Sequence, residues 1–511
     1  MFLALLLSYG PYAVAVFLLF HLVYFRWFHP LAKFPGPFWA SQTNAWKAYQ
    51  LWTRRMPVTL QSLHERYGPV IRIGPNDLNF ASEDASATIY KSGRTMPKSS
   101  FYDGFTTFQA NLFGTRDEDL HALRRRQMSH GFSAASLKSM EGIFDRHISE
   151  LRKQIEEYAV SGEQFDLKEL IAYYAYDIIG ELAFSRDFGT LRSRDPADLP
   201  PINDHIFLGC MYGMLPNLLP YSMRLTKYIP LPYVQKMLKS RLRLRNTTAE
   251  CVAVEMARSK DPQQNTEKNL LTQLIDAKDP ESGAGLTHTD VASEAFGFLV
   301  AGSHTTSGTL TLLFYHLLHS PKVAAHLTKE LDDQLELLDE GSSYIYQNLD
   351  STLPYAHACI QENYRITPVF TMPLPRMVTD PAGVIIASQH IPVGSNVSMV
   401  NYCLHHNASI WGPDHNIFDP SRWLPSRTGD NKTRSVKADI NNIMPFGAGH
   451  RTCIGRNIAA MSVLKVLVTL WRNYEFSVVD EHEALVIESV GIDEKAGPLL
   501  CRVKMRRAAA F

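Results

Sequence analysis

The chain has 511 residues, and 51 Lys+Arg balance 51 Asp+Glu, so its formal charge is zero. Hydrophobic residues make up 45% and charged residues 20%, enough apolar side chain for a large core, which excludes disorder for most of the chain. The even balance also argues against a dedicated nucleic-acid binder, which needs clustered excess Lys and Arg.

No Asp, Glu, Lys or Arg occurs before Arg26, and Lys33 follows it. As a helix, residues 2–25 would span about 36 Å at about 1.5 Å per residue, more than the hydrocarbon core of a bilayer. Gly10 and Pro11 interrupt the run, which membrane helices tolerate. A cleaved signal peptide is the rival reading. It would want a basic segment ahead of the apolar run, and here the run continues past Ala13-Val14-Ala15. The expectation is an uncleaved single-pass anchor over residues 1–25, with the cation-bearing C-terminal side in the cytosol. Residues 26–37, with Lys33-Phe-Pro-Gly-Pro37, are expected to form a basic, proline-rich hinge. Residues 38–511 make the soluble body.

Helical periodicity covers residues 117–127, 137–159, 167–182, 269–277, 289–319, 322–338, 355–366 and 456–472. Strand alternation covers 70–73, 78–80 and 384–387. Residues 279–285 and 424–437 are polar and predict loops. The segment 290–319 is apolar on nearly all sides and predicts a buried helix, ended by Pro321. A domain prior of about 150 residues suggests three domains. One central buried helix suggests a single body instead. Cys210, Cys251, Cys359, Cys403, Cys453 and Cys501 form no C-x-x-C pair, and a cytosol-facing chain predicts reduced thiols.

The strongest chemical signal is Phe446-Gly447-Ala-Gly449-His-Arg451-Thr-Cys453-Ile-Gly455. It is a glycine-rich loop presenting one cysteine just before a helix, where amides favour a thiolate. The pattern F-x-x-G-x-R-x-C-x-G resembles the cytochrome P450 family. The resemblance extends over essentially the whole chain. It implies a mainly α fold with small β-sheets, enclosing haem around a long central helix and preceded by a transmembrane helix. It also implies that Cys453 is the axial thiolate of haem b, a ligand that favours O–O cleavage. Phe446 would pack near the sulfur, and Arg451 would meet a haem propionate.

Other pieces fall in the family's order. Glu362-Asn-Tyr-Arg365 is an E-x-x-R on one helix face, and Phe418-Asp-Pro-Ser-Arg422-Trp matches P-x-R-W. The resemblance makes Glu362, Arg365 and Arg422 a structural triad. Ala301-Gly302-Ser303-His304-Thr305-Thr306 resembles the oxygen-binding motif A-G-x-[DE]-T-[TS]. It implies that Gly302 brings the helix close to haem and leaves room for dioxygen, and that Thr305 assists proton delivery. His304 replaces the usual acid. Two readings stand: a relay with altered pH dependence, or a packing or substrate contact. His121 and Arg125, at i and i+4, match W-x-x-x-R with His in place of Trp, and Arg376 lies in the strand after E-x-x-R. All three would meet propionates, with Arg124 and Arg126 facing outward.

By analogy of position, Phe101, Phe105 and Phe108 lie over the haem, and Phe298, Val369, Phe370, Val490 and Ile492 are further pocket candidates. Gly447-Ala-Gly449 lacks the third glycine of a dinucleotide fingerprint, and no P-loop occurs. Electrons would therefore come from a partner; the resemblance implies NADPH through a membrane-bound cytochrome P450 reductase, with cytochrome b5 a further donor, at the endoplasmic reticulum membrane. The implied activity is a monooxygenase using O2 on a lipophilic small molecule. Segments such as Phe101-Tyr-Asp-Gly-Phe and Ser129-His-Gly-Phe-Ser resemble fungal members, both secondary-metabolite oxidases and benzoate para-hydroxylases. A small aromatic acid is thus the second substrate class. A reductase-independent haem-thiolate isomerase or dehydratase is the rival activity, and Thr305 argues against it.

Overall fold

The computed structural model describes residues 2–91, 93–259, 269–339, 341–425 and 439–506. Its principal helices are α1 (Phe2–Val23), α2 (Met56–Tyr67), α3 (Glu118–Ser129), α4 (Glu141–Ser161), α5 (Leu167–Phe184), α6 (Ile202–Met214), α7 (Pro232–Arg258), α8 (His288–Leu318), α9 (Pro321–Gln334), α10 (Pro354–Ile366) and α11 (Arg456–Asn473). Strands β1 (Val70–Gly74), β2 (Asp77–Phe80), β3 (Phe165–Asp166), β4 (Arg376–Met377), β5 (Val384–Ile386), β6 (Gln389–Ile391), β7 (Asn396–Met399), β8 (Tyr474–Val478), β9 (Ile487–Ser489), β10 (Asp493–Lys495) and β11 (Leu500–Met505) form small sheets. The largest has the order β1-β2-β7-β4. It pairs β1 and β2 antiparallel, as in Val70 with Phe80, and β2 with β7 parallel, as in Leu78 with Val397. The mainly helical fold with small sheets follows the sequence expectation.

Helix α8 is the axis of the core. Thr287 caps it in a capping box with Asp290, and most of its side chains are buried. Helix α5, buried over most of its length, packs against it, and α11 adds Trp471, whose ring lies 5.8 Å from Phe314. An all-round apolar helix is stable only with neighbours on every side, which these helices supply.

Two expectations differ in detail. The helix expected over 137–159 is broken at Met140, between Ala134–Ser139 and α4. Tertiary contacts hold the new start: the Glu141 carboxylate receives Lys465 Nζ at 2.6 Å and the Tyr346 N–H at 2.7 Å. The helix expected over 322–338 ends at Gln334, because Arg472 Nε takes the Leu335 carbonyl at 2.8 Å. Of the loop expected over 424–437, residues 426–437 lie outside the described residues.

The segment Tyr9–Phe28 is long and apolar enough to cross a membrane, and none of it is buried. The segment after it is docked onto the body. Leu31 and Phe34 are buried with Val70, Phe80 and Val397 in a second, smaller core. The Arg72 N–H donates to the Pro35 carbonyl at 2.7 Å, and Arg72 Nη1 to the Phe25 carbonyl at 2.9 Å.

Candidate active site

The loop before α11 is shaped by its own backbone. The Cys453 N–H donates to the Phe446 carbonyl at 2.8 Å, and the Gly447 N–H to the Met444 carbonyl at 3.0 Å. Gly449 has φ +69°, and a Cβ there would lie 2.0 Å from the Tyr90 carbonyl oxygen, so only glycine fits. The Phe446 ring meets Tyr364 edge-on at 5.3 Å. All six cysteines are free thiols; five are buried and Cys453 is exposed. Cys453 borders a cavity of about 350 Å³ lined also by Arg125, Phe132, His450 and Arg456. Although the side chain opens onto this cavity, the protein packed around its sulfur desolvates it and pushes the thiol up, while the Gly455 N–H, Arg125 and Arg456 favour the thiolate.

Cations gather beside this loop. Lys98 and Arg376 sit across a β-bridge and are both buried. Lys98 Nζ donates to the Phe113 carbonyl at 2.5 Å and lies 4.2 Å from the Tyr102 ring centre; Arg376 Nη1 donates to the Tyr102 hydroxyl at 2.9 Å. Arg125 Nη1 donates to the Thr452 carbonyl at 2.6 Å. Arg451 pairs with Glu118 at 2.7 Å, and His450 takes the other oxygen at 2.7 Å. Burial works against the Glu118 charge, but these two donors outweigh it and hold its carboxyl below its usual range. His121 is buried beside them and held neutral, its pKa lowered to about 2 by burial and then by Arg451, Lys98 and Arg125.

Among the described residues, Glu118 is the one carboxylate paired into this cluster. Burial, then Arg376 and Arg451, drive the Lys98 ammonium well below its ordinary value. Such an excess of buried positive charge calls for anions, and the two propionates of a haem supply them. A free thiol on one side and unneutralised cations on the other fit that group.

Sequence reasoning missed Lys98, a single lysine in a polar stretch. It also misplaced Arg124, expected to face outward. Arg124 is buried, pairs with Asp290 and lies 3.5 Å from Glu294. Two carboxylates on α8 hold it inward. Arg126 is partly exposed and pairs with Asp279 at 2.8 Å.

On α8, Ala301 is exposed and Gly302, His304 and Thr305 are half-buried, although most of the helix is buried. Thr305 Oγ1 donates to the Ala301 carbonyl at 2.7 Å. A Cβ at Gly302 would lie 2.5 Å from Ile179 Cδ1, so this glycine lets α8 and α5 approach. His304 Nε2 has no hydrogen-bond partner among the described residues and lies 4.0 Å from Glu494 Oε2 on β10. Burial lowers the His304 pKa; Glu494 opposes this and Lys168 adds to it.

The buried Glu362 and Arg365 make two parallel bonds, at 2.9 and 2.7 Å. Arg422 Nε lies 3.4 Å from Glu362, and Trp423 Nε1 donates to it at 2.9 Å. Arg365 Nη1 reaches the His405 carbonyl at 3.1 Å, and the His405 ring accepts the Met444 N–H at 3.0 Å. The triad is thereby tied to the start of the Cys453 loop.

The cytochrome P450 family model matches residues 35–495. The chain belongs to the cytochrome P450 family. The cytochrome P450 monooxygenase gsfF of Penicillium aethiopicum is 31% identical, over 96% of this chain and 97% of its own. The benzoate 4-monooxygenase bphA of Aspergillus niger is 32% identical over 94% of each chain. The pisatin demethylase of Fusarium vanettenii is 28% identical over 93% of this chain and 91% of its own. This P450 is a monooxygenase, and its family uses haem with a cysteine thiolate and O2.

In this P450 the aromatic candidates form a wall. Phe101 and Phe105 lie 5.6 Å apart edge-on and seat on α6, where a Cβ at Gly213 or Gly209 would strike them. Phe105 meets Phe113 at 5.5 Å, and Phe113 meets Phe370 at 6.5 Å. Phe370 bridges to Ile492, and Val369 accepts the Asp493 N–H at 2.7 Å, which joins the candidate segments 369–370 and 490–492. Phe108 packs against Phe296 at 6.2 Å. Phe298 stands apart: it meets Phe132 at 5.4 Å and lines a small cavity with Leu270 and Leu274. Phe113 and Phe296 belong to the wall and were missed, because no local motif marks them.

Proposed function

We propose that this P450 is anchored in the endoplasmic reticulum membrane with its body in the cytosol. There it inserts one atom of O2 into a lipophilic small molecule of fungal secondary metabolism, with NADPH electrons delivered by a membrane-bound reductase and cytochrome b5 as a further donor. The observation that carries the reading is the buried cation cluster, short of carboxylates, beside the free Cys453 thiol. Haem held by Cys453, with its propionates among Lys98, Arg125, Arg376 and Arg451, supplies the oxygen activation.

The chain's own residues do the rest. Thr305 Oγ1, anchored on the Ala301 carbonyl, keeps its lone pairs free to accept a proton donor. His304 Nε2 stands between this turn and Glu494, which is partly exposed and also receives Asn203 Nδ2 at 3.0 Å. We assign this pair the proton relay that an acid on the helix serves elsewhere in the family. The aromatic wall orients the substrate and excludes water. Arg456, exposed and close to Cys453, gives an acidic flavoprotein a cation to dock on. The apolar segment Tyr9–Phe28 followed by Lys33 supports the anchor and its orientation.

Turnover with added reductase tests the activity. Product should require NADPH, reductase and O2 together; reductase-independent turnover would instead support the isomerase reading. Product formed per NADPH, followed against pH in His304→Asp and His304→Ala, tests the relay. His304→Ala should lose coupling and His304→Asp should retain it, and unchanged coupling in both would remove His304 from proton delivery.

A further inference from the structure

Beside the aromatic wall stands a half-buried cation that no carboxylate neutralises among the described residues. Arg241 lies on α7. Its Nε donates to His205 Nδ1 at 3.1 Å, its Nη2 donates to the Gly104 carbonyl at 2.7 Å, and its guanidinium carbon is 5.6 Å from the Tyr212 ring centre. Each partner is neutral: burial, and then Arg241 itself, keep His205 uncharged. Nη1 has no partner among the described residues. The acid beside His205, Asp204, turns away to Ser240 at 2.8 Å and Lys236 at 3.7 Å. Burial lowers the Arg241 pKa to about 10, opposed by Tyr212 and by no carboxylate.

The position of this guanidinium matters as much as its isolation. The His205 ring meets Phe296 of α8 edge-on at 4.9 Å. Gly104 belongs to the aromatic segment Ser100–Phe105 and directly precedes Phe105. Arg241 therefore caps the aromatic wall at its end nearest Phe296. A half-buried guanidinium held only by neutral partners is a poorly compensated charge, and its planar fork matches a carboxylate in two-point contact.

We propose that Arg241 binds the carboxylate of an extended lipophilic acid, whose apolar body lies along Phe105, Phe113 and Phe296 and whose far end reaches Thr305. This deepens, and rests on, the monooxygenase reading. Phe296 and Thr305 are separated by about 13 Å along α8 at about 1.5 Å per residue. A single ring such as benzoate is too short to meet both ends; two linked rings or an equivalent chain suffice.

The test uses the haem-loaded enzyme and a matched pair of probes, biphenyl-4-carboxylate and its methyl ester, titrated by calorimetry. The acid should bind about tenfold or more tighter than the ester, the ordinary worth of a charge-assisted contact. Arg241→Gln should abolish that difference and Arg241→Lys should retain part of it. Equal affinities in the unsubstituted enzyme, no binding of the acid, a difference that survives Arg241→Gln, or loss of both probes together would each overturn the proposal. The carbon monoxide spectrum of every variant is recorded alongside. An intact thiolate band with no acid preference defeats only the Arg241 assignment, whereas a missing band in the unsubstituted enzyme defeats the haem-thiolate reading beneath it.

Discussion

Lys98 is the residue whose behaviour depends most on what lies beside it. Its buried ammonium has ring faces and a carbonyl for company, with Arg376 and Arg451 close by. Its folded pKa is well below 10.5, so the unfolded chain binds its proton more readily, and apoprotein stability should rise with pH through the window below 10.5. Lys98→Met should flatten that rise and leave the apoprotein at least as stable, while accelerating haem loss from the loaded enzyme. Thermal unfolding of both forms against pH checks the pair of effects; slower haem loss would contradict it. Cys453, Arg451 and Glu362 were legible in the sequence because each sits in a short motif. Lys98, Arg241 and Glu494 were not, since their meaning comes from what the fold places next to them: Arg376, His205 and His304.

Among the elements, the close approach of α8 to α5 and of the Cys453 loop to Tyr90 have different tolerances. Gly302→Ala meets the Ile179 side chain and no backbone of a neighbouring element, so it should cost about 1 kcal/mol. Gly449→Ala meets the Tyr90 carbonyl at 2.0 Å and a φ of +69°, and should cost at least about 2 kcal/mol, with weakened haem retention. Denaturant unfolding ranks the two, and a larger loss for Gly302→Ala would contradict the packing assigned to each. Glu362→Ala removes the partner of a fully buried Arg365 and should cost about 3–5 kcal/mol by the same measurement. Helix α8 and the strands β1 and β2 were legible from periodicity. The break at Met140 was not, because Lys465 and Tyr346, distant in sequence, set it.

For the whole molecule, the length that suggested three domains resolves into one helical body around α8, with a second small core beside β1, β2 and β7. The proline-rich segment belongs to that second core through Leu31 and Phe34. Deleting residues 2–20, which spares the Phe25 carbonyl that Arg72 holds, should therefore leave the thermal stability of the loaded enzyme nearly unchanged. Deleting residues 2–37 should cost about 2 kcal/mol for each of the two buried side chains. Equal stability of the two truncations would contradict the docking of this segment.

The central claim is that Cys453 holds haem as a thiolate. The most direct measurement is the carbon monoxide difference spectrum of the reduced, haem-loaded enzyme, taken with Cys453→Ala alongside. The account predicts a thiolate-type band in the unsubstituted enzyme and its loss in the variant. A folded, haem-loaded enzyme without that band, or a variant that keeps it, would contradict the account.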